Sequence, residues 1–576
     1  MSTARLARDL TAITPVGAAF VHCVVIGWGR WGDLLTDTGR ELELPRRMLE
    51  GEALYRDLRW YYGPLAPYVN AWLYRAFGVR VEVLAVAGIA SAALVALALW
   101  LLTRRFADRF AATAVALSFV YGCAFSAASG AGIFNFALPY TFAATYGMLV
   151  AIWSVYFLVR HVQDGRARDL HASIGLLALT AFTKVEVLVP LAAAHGAFAL
   201  ACAMRGRNLR PLLGAYSAAV AFVASVYGLL FARHGAEVWS LNLAGVWNDA
   251  SAVFIRSMMG LDLPLTNLLW VIGVTSLLVT WTALGAWASR RIPWSALPVV
   301  ARGGLVAALA GASVGLALLL PWNFPFRAAT PVAVGAMIYL AARATAAADG
   351  ERDDLVARIA VWTFAAGCLL RIFLRPTPVF YGFYLLVPTI AGAGILLFSD
   401  LPTRLRATGW ARTAIVGQAA GVLVGGTLPL LLDSLPAYAE RAYELETPRG
   451  RWRTQYPDLP AAIRSMSELP PEARVLVVPE GAALNFFASR RGPDAMFSYL
   501  PMEMPRGEDE ARVVDSWARR PPELVVLLSL RNDEFGAGWF GIDYGRRCGQ
   551  WIERNYRPIA LPNSGVMLAV PAGRTP

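Results

Sequence analysis

Lysine is almost missing from this chain. Among 52 cationic residues only Lys184 is a lysine and the rest are arginine, so a lysine at that position is less readily explained as one more generic positive charge. Cysteine is sparse too. Cys23, Cys123, Cys202 and Cys368 sit in apolar runs and Cys548 in the polar C-terminal part, which leaves neither a disulfide framework nor a zinc spacing. His22, His161, His171, His195 and His234 are scattered without ligand spacing. The chain shows no internal repeat. Charged residues make up only 16% of it, and although the net charge is +12, no basic stripe of the kind nucleic acid requires is present. Nucleic acid is therefore not expected as a partner.

What fills the chain instead is apolar: 57% hydrophobic residues and a mean hydropathy of +0.49, beyond what soluble globular chains carry. At about 17–25 apolar residues per span, candidate spans fall at 10–29, 81–102, 110–128, 138–159, 172–188, 190–204, 211–232, 265–288, 298–320, 328–344, 358–374, 382–398 and 413–432. The expected fold is a polytopic α-helical membrane protein of about thirteen transmembrane helices. The stretch 172–204 is short for two spans, but reading it as a hairpin keeps the arginine-rich loops, around 104–109, 160–168, 205–210, 290–291, 352–358 and 404–412, on one side. By the positive-inside rule that side is cytoplasmic. The N-terminal span, with Arg5 and Arg8 before it and no clear cleavage site, is expected to stay as an anchor. Loop 30–80 and the C-terminal part then lie outside.

After residue 432 the pattern changes. Residues 433–456 read as a polar linker; Ala473–Gly481 and Glu523–Ser529 contain short buried strands, alternating with helices near 458–468, 481–490, 508–519 and 544–555. The expected organisation is 1–432 as the membrane domain and 433–576 as a small α/β extracytoplasmic domain. Pro479-Glu480-Gly481 ends the first of those strands, where open α/β sheets often bind ligands; a structural turn is the other reading, and no phosphate-binding glycine motif or catalytic triad accompanies it.

Chemistry is expected in the loop from Trp31 to Gly78. Asp33, Asp37 and Glu41 are spaced i, i+4 and i+8, the spacing of one helix face. Trp60, Tyr61, Tyr62, Trp72 and Tyr74 flank Gly63-Pro64, which suits a folded cap at the membrane interface.

The first span, the following loop with its aspartate, Gly51, Tyr55, Gly63-Pro64-Leu65 and the closing Phe77-Gly78 together resemble the GT-C glycosyltransferases. The likeness is to the bacterial branch related to protein O-mannosyltransferases and the lipid A aminoarabinose transferase. In that pattern an Asp-Glu pair stands where this chain has Asp37-Thr38, and Lys-Pro-Pro-Leu where it has Tyr62-Gly63-Pro64-Leu65. The resemblance implies a plasma (inner) membrane enzyme that moves a sugar from a polyprenyl-phosphate donor to an extracytoplasmic glycan, lipid or protein. Asp37 matches the family's catalytic acid. A transporter or flippase of a lipid-linked or envelope substrate is the alternative, although its charges would be expected near mid-membrane; a catalytically silent scaffold of the same fold is a third.

On that reading Asp37 takes the acceptor's proton, its other role being a helix N-cap before Glu41. Asp57 is the second candidate acid, or else a salt-bridge partner of Arg56 or Arg59. Cations should stabilise the leaving phosphate: Lys184, which otherwise pairs with Glu186 to close the hairpin, and Arg327, Arg371 and Arg375, which otherwise snorkel. Glu41, Tyr62, Glu186 and Tyr381 are expected to line the pocket, with Tyr384 beside Tyr381. No cofactor is expected; a divalent cation held by Asp33, Asp37 and Glu41 is the open alternative.

Overall fold

The computed structural model describes residues 3–243, 248–321, 323–346, 349–504, 507–560 and 565–572. Its first half is a run of helices: α1 (Thr3–Gly27), α2 (Thr38–Leu49), α3 (Leu65–Phe77), α4 (Val81–Thr103), α5 (Arg109–Phe119), α6 (Phe142–Asp164), α7 (Ala167–Thr180) and α8 (Val185–Met204). Among the described residues eleven helical segments are long and apolar enough to cross a bilayer. The two other expected spans are shorter helices: α5, which continues in wider turns to Ala124, and α7. The hairpin expected over 172–204 is present as α7 and α8, joined by the turn Ala181–Lys184.

Burial divides the helices by neighbour. The apolar stretch of α6 is 78% buried, whereas that of Arg210–His234 is 0% buried. Val220, Leu229 and Val300 are 67%, 71% and 86% exposed; apolar surface this extensive on helices whose backbones bond internally is what lipid covers. The chain is a multi-pass membrane protein.

The arginine-rich loops meet at one end of the bundle. Arg109 pairs with Asp9 at 2.5 Å, and Arg105 with Asp164, Arg205 with Asp353 and Arg358 with Asp400. Helices α1, α4 and α6 each run between that end and the 28–80 loop at the other.

The residues expected to form a linker at 433–456 are ordered instead. Helix Leu428–Glu440 runs through position 433, and the hairpin of β1 (Tyr443–Thr447) and β2 (Gly450–Thr454) follows. Their buried side chains explain the difference: Trp452 donates from Nε1 to the Trp31 carbonyl at 2.9 Å, and Trp31 donates to Tyr438 Oη at 3.1 Å. Polar composition concealed an aromatic clasp between the 28–80 loop and the C-terminal part.

Beyond it lies a four-stranded sheet of β3 (Val475–Val478), β4 (Leu524–Leu528), β5 (Tyr556–Ala560) and β6 (Val566–Pro571), ordered β3-β4-β6-β5. The pair β3/β4 is parallel and the other two pairings are antiparallel. The two expected strands and four helices are all found. Strands β5 and β6 were not expected from sequence; Pro558 weakens the strand signal and is tolerated because β5 is an edge.

The sheet region is seated on α2 through helix Ala482–Ala488. A Cβ on Gly39 would lie 2.1 Å from the Ala483 backbone nitrogen, so only glycine allows this approach. Gly39→Ala should therefore cost about 1–3 kcal/mol, the usual penalty for overpacking, read as a lower apparent Tm of the detergent-solubilised protein; an unchanged Tm would show that the two parts separate easily.

Candidate functional site

The site forms where the tip of the α7–α8 hairpin meets the 28–80 loop. Gly63 N–H donates to the Thr183 carbonyl at 2.7 Å and Leu65 N–H to the Phe182 carbonyl at 2.9 Å. A Cβ on Gly63 would sit 2.1 Å from the Phe182 carbonyl carbon. The Gly-Pro-Leu stretch therefore docks on the tip and brings Tyr62 against the next residue, Lys184.

Lys184 is 2% exposed. Its Nζ donates to Tyr140 Oη at 2.7 Å and lies 4.4, 4.8, 5.1 and 5.7 Å from the ring centres of Tyr62, Tyr381, Tyr140 and Tyr384. Four phenol rings thus surround one ammonium, an arrangement that stabilises the cation by the quadrupole of each ring. Glu186 Oε1 is 3.6 Å away, and the same oxygen is 4.0 Å from Arg371 Nε; Arg371 also lies over Tyr381 at 4.5 Å. Burial lowers the Lys184 pKa to about 8, with Glu186 opposing the shift and Arg371 adding to it. Arg371 Nη1 is buried without a hydrogen-bond partner.

Asp37 stands immediately before α2 and its side chain makes no cap hydrogen bond. The N-cap reading of its carboxylate is thus not what the structure has. Asp37 Oδ1 instead lies 2.7 Å from Arg40 Nη2, and Arg40 reaches on to donate to the Tyr140 carbonyl at 3.1 Å. Buried Arg40 consequently ties the carboxylate to the tyrosine box. Sequence reading passed over it, although its i+3 spacing from Asp37 was the available signal.

The three acids do not share a helix face. Gly32, at φ 79°, and an Asx turn in which Asp33 Oδ1 accepts Leu35 N–H at 2.9 Å keep 33–37 out of the helix. Asp33 Oδ2 accepts from Tyr456 Oη at 3.1 Å. Glu41 Oε2 accepts Phe142 N–H at 2.9 Å, capping α6; burial pushes Glu41 up to about 7 against the pull of Arg40. These carboxylates have separate partners, and among the described residues no group of three or more Asp, Glu, His or Cys could hold a metal ion.

The sheet region contributes acids from above. Burial, and then the charge of Asp37, hold the Glu480 carboxyl well above the usual carboxylate range. Burial pushes Glu503 up to about 7, opposed by Arg40. The Pro479-Glu480-Gly481 turn at the end of β3 therefore faces the Asp37 side of the site.

Other candidates lie elsewhere. Asp57 pairs with Arg56 at 2.7 Å and accepts Ala53 N–H at 2.8 Å, closing its own loop, and it lines a cleft with Arg47 at the far end of α2. The cation quartet divides. Lys184 and Arg371 are together, whereas Arg327 donates to Asn267 Oδ1 at 3.0 Å and the Leu374 carbonyl at 2.7 Å, and Arg375 faces Asp262 at 3.7 Å and Ser257 at 3.5 Å. The latter pair fastens segment 257–267 to 372–375. Tyr140 also escaped sequence reading, because 138–159 read as one span; α6 begins only at Phe142.

No protein-family model matches the chain, and no curated protein matches its sequence. Solved structures do. The apo oligosaccharyltransferase of Archaeoglobus fulgidus is similar at 14% identity and a TM-score of 0.50, over 90% of this chain and 69% of that one. ArnT of Cupriavidus metallidurans bound to undecaprenyl phosphate aligns at 12% identity and a TM-score of 0.49, over 97% of each chain. AglB of Archaeoglobus fulgidus, in complex with an inhibitory peptide and a dolichol-phosphate, aligns at 14% and 0.46, over 100% of this chain and 75% of that one. The chain therefore shares its fold with that apo oligosaccharyltransferase.

Because Lys184 is the sole lysine, its titration can be followed without assignment. Protein labelled with [15N]lysine should give one side-chain resonance titrating near pH 8, and in Tyr140→Phe this midpoint should move down because the ammonium loses an acceptor. A midpoint at the ordinary 10.5 would mean that the ammonium is hydrated and not boxed.

Proposed function

We propose that the chain is a glycosyltransferase that takes a sugar from a polyprenyl-phosphate donor at the Lys184 box and passes it to a hydroxyl presented to Asp37. The observation that carries this reading is the buried ammonium of Lys184, joined through Glu186 to Arg371, whose Nη1 has no partner, and through Tyr140 and Arg40 to the half-buried carboxylate of Asp37. Buried cationic donors without full partners are costly, and a phosphate oxygen would satisfy them. The GT-C fold is compatible with such a reaction, although fold alone does not assign one.

The transfer proceeds as follows. Asp37 accepts the proton of the acceptor hydroxyl while its oxygen bonds to the anomeric carbon. The bond from that carbon to the phosphate oxygen breaks, and the electron pair leaves on the phosphate. Lys184 and Arg371 stabilise the growing charge there, and the tyrosine box holds the ammonium in place. Charges clustered at one end of the bundle beneath the sheet region favour this reading over transport through mid-membrane. With the arginine-rich loops cytoplasmic, the site and residues 433–576 face the other side of the plasma membrane. A reporter fused after residue 576 should be active only there; cytoplasmic activity would put the site in the wrong compartment.

Undecaprenyl phosphate should bind the purified protein, about tenfold more weakly in Lys184→Ala, the equivalent of roughly 1.4 kcal/mol. Lys184→Arg should also bind less well, since a planar guanidinium does not fit a box built around an ammonium. The Lys184 pKa is lowered, so the ammonium is present below about pH 8 and lost above it; wild-type affinity should fall as pH rises through that value, and that of Lys184→Ala should not. Asp37→Asn should retain binding yet slow sugar release from a polyprenyl-phosphate sugar by about 10²–10⁴. Equal donor affinity in wild type and Lys184→Ala would remove the phosphate site from this box.

A further inference from the structure

At the opposite end of α2 from Asp37 lies a cleft of about 590 Å³ whose walls include Arg47, Arg474, Arg491, Arg519 and Arg520. It is built jointly: Arg47 and its neighbours come from the 28–80 loop, and the other four arginines come from the sheet region. The carboxylates nearby are already committed. Glu52 lies 2.5 Å from Arg47 and 3.5 Å from Arg491, while Glu50 takes Arg491 at 2.5 Å. Asp494 accepts from Met496 N–H at 2.9 Å, Trp517 Nε1 at 2.9 Å and Tyr499 Oη at 3.0 Å, and Asp57 is held by Arg56. Among the described residues no carboxylate comes within salt-bridge distance of Arg474, Arg519 or Arg520. Arg474 has its pKa lowered, by burial first and then by Arg520, Arg491 and Arg47, which shows how closely these like charges are crowded.

Arg47 and Arg491 have carboxylate partners, but five arginines share too few counter-charges, and such an excess destabilises a folded protein unless something supplies the anion. Forked guanidiniums suit phosphate oxygens better than any other common group. Ten residues of α2 separate Arg47 from Asp37, about 15 Å at 1.5 Å per residue, so a molecule held in the cleft is within one helix length of the proposed base.

We propose that this cleft binds phosphate groups of the acceptor, so that the enzyme acts on a phosphorylated glycan or on a lipid with a phosphate headgroup. The inference rests on the transferase reading for its word acceptor, but the phosphate site itself is measured without turnover. The probe is tripolyphosphate, titrated into the full chain in phosphatidylcholine nanodiscs. Wild type should bind it saturably, with affinity that falls as NaCl is raised. The triple variant Arg474→Gln, Arg519→Gln, Arg520→Gln, which removes no side-chain hydrogen bond or ion pair among the described residues, should bind at least about tenfold more weakly. Asp37→Asn should bind as wild type does, so a failed catalytic assignment and a failed cleft are told apart. Adding phosphatidylglycerol to the nanodiscs identifies the source: competition with tripolyphosphate in wild type points to a lipid headgroup, and its absence to a soluble phosphorylated acceptor. No saturable binding, or equal affinity in the triple variant, overturns the proposal.

Discussion

The candidate site depends on two backbone hydrogen bonds, from Gly63 and Leu65 to the carbonyls of Thr183 and Phe182. They join a loop near the N-terminus of the chain to the tip of a membrane hairpin more than one hundred residues later. Without them Tyr62 would not face Lys184, and the ammonium would lose one wall of its box. Glycine is required at 63 because any side chain would collide with the Phe182 carbonyl. A motif that reads in sequence as a turn at the interface is thus a docking strip whose register sets the distance between a cation and an aromatic ring.

Around this contact the protein concentrates charge in a place of low dielectric. Ion pairs so placed gain little net stability, because desolvation offsets attraction, but removing one partner costs about 3–5 kcal/mol. Lys184, Glu186 and Arg371 on one side, and Asp37, Arg40 and Glu41 on the other, form two such networks that share Tyr140 as a common acceptor. Each cation–π contact of a desolvated ammonium offsets up to about 2 kcal/mol, which accounts for the four tyrosines around so deeply buried a group. Burial, opposed by Arg40, raises the carboxyls of Glu41 and Glu503 to about 7, so α2 and the sheet region each carry a group able to exchange protons near neutrality. The sheet region is accordingly part of the site's electrostatics. Its Glu480 turn responds to Asp37, and its seating on Gly39 determines how near that turn comes.

Much of the fold was legible in the amino-acid order, because span length and arginine placement are local quantities imposed by bilayer thickness and membrane orientation. The hairpin over 172–204 was readable in this way, and the strands at Val475–Val478 and Leu524–Leu528 were readable from their compact apolar runs. Positions such as Tyr140 and Arg40 were not. One lay in a stretch apolar enough to pass for a span, and the other was hidden among the arginines that crowd this chain. Asp57 and Arg327 had the right residue type in the right region and nonetheless hold other partners. Residue identity and neighbourhood in sequence do not say where a long side chain ends.

By itself, then, the sequence determined that the chain crosses the membrane many times, which loops share an end, and that Lys184 and Asp37 stand apart from the background of arginine and apolar residues. Only the tertiary structure decided that Lys184 is boxed by Tyr62, Tyr140, Tyr381 and Tyr384, that Arg40 links it to Asp37, and that Arg327 and Arg375 belong to a separate brace. The physical reason is range. Hydropathy and loop charge act through the solvent on each segment alone, whereas hydrogen bonds and cation–π contacts act over a few ångströms between segments that only the packed chain brings together.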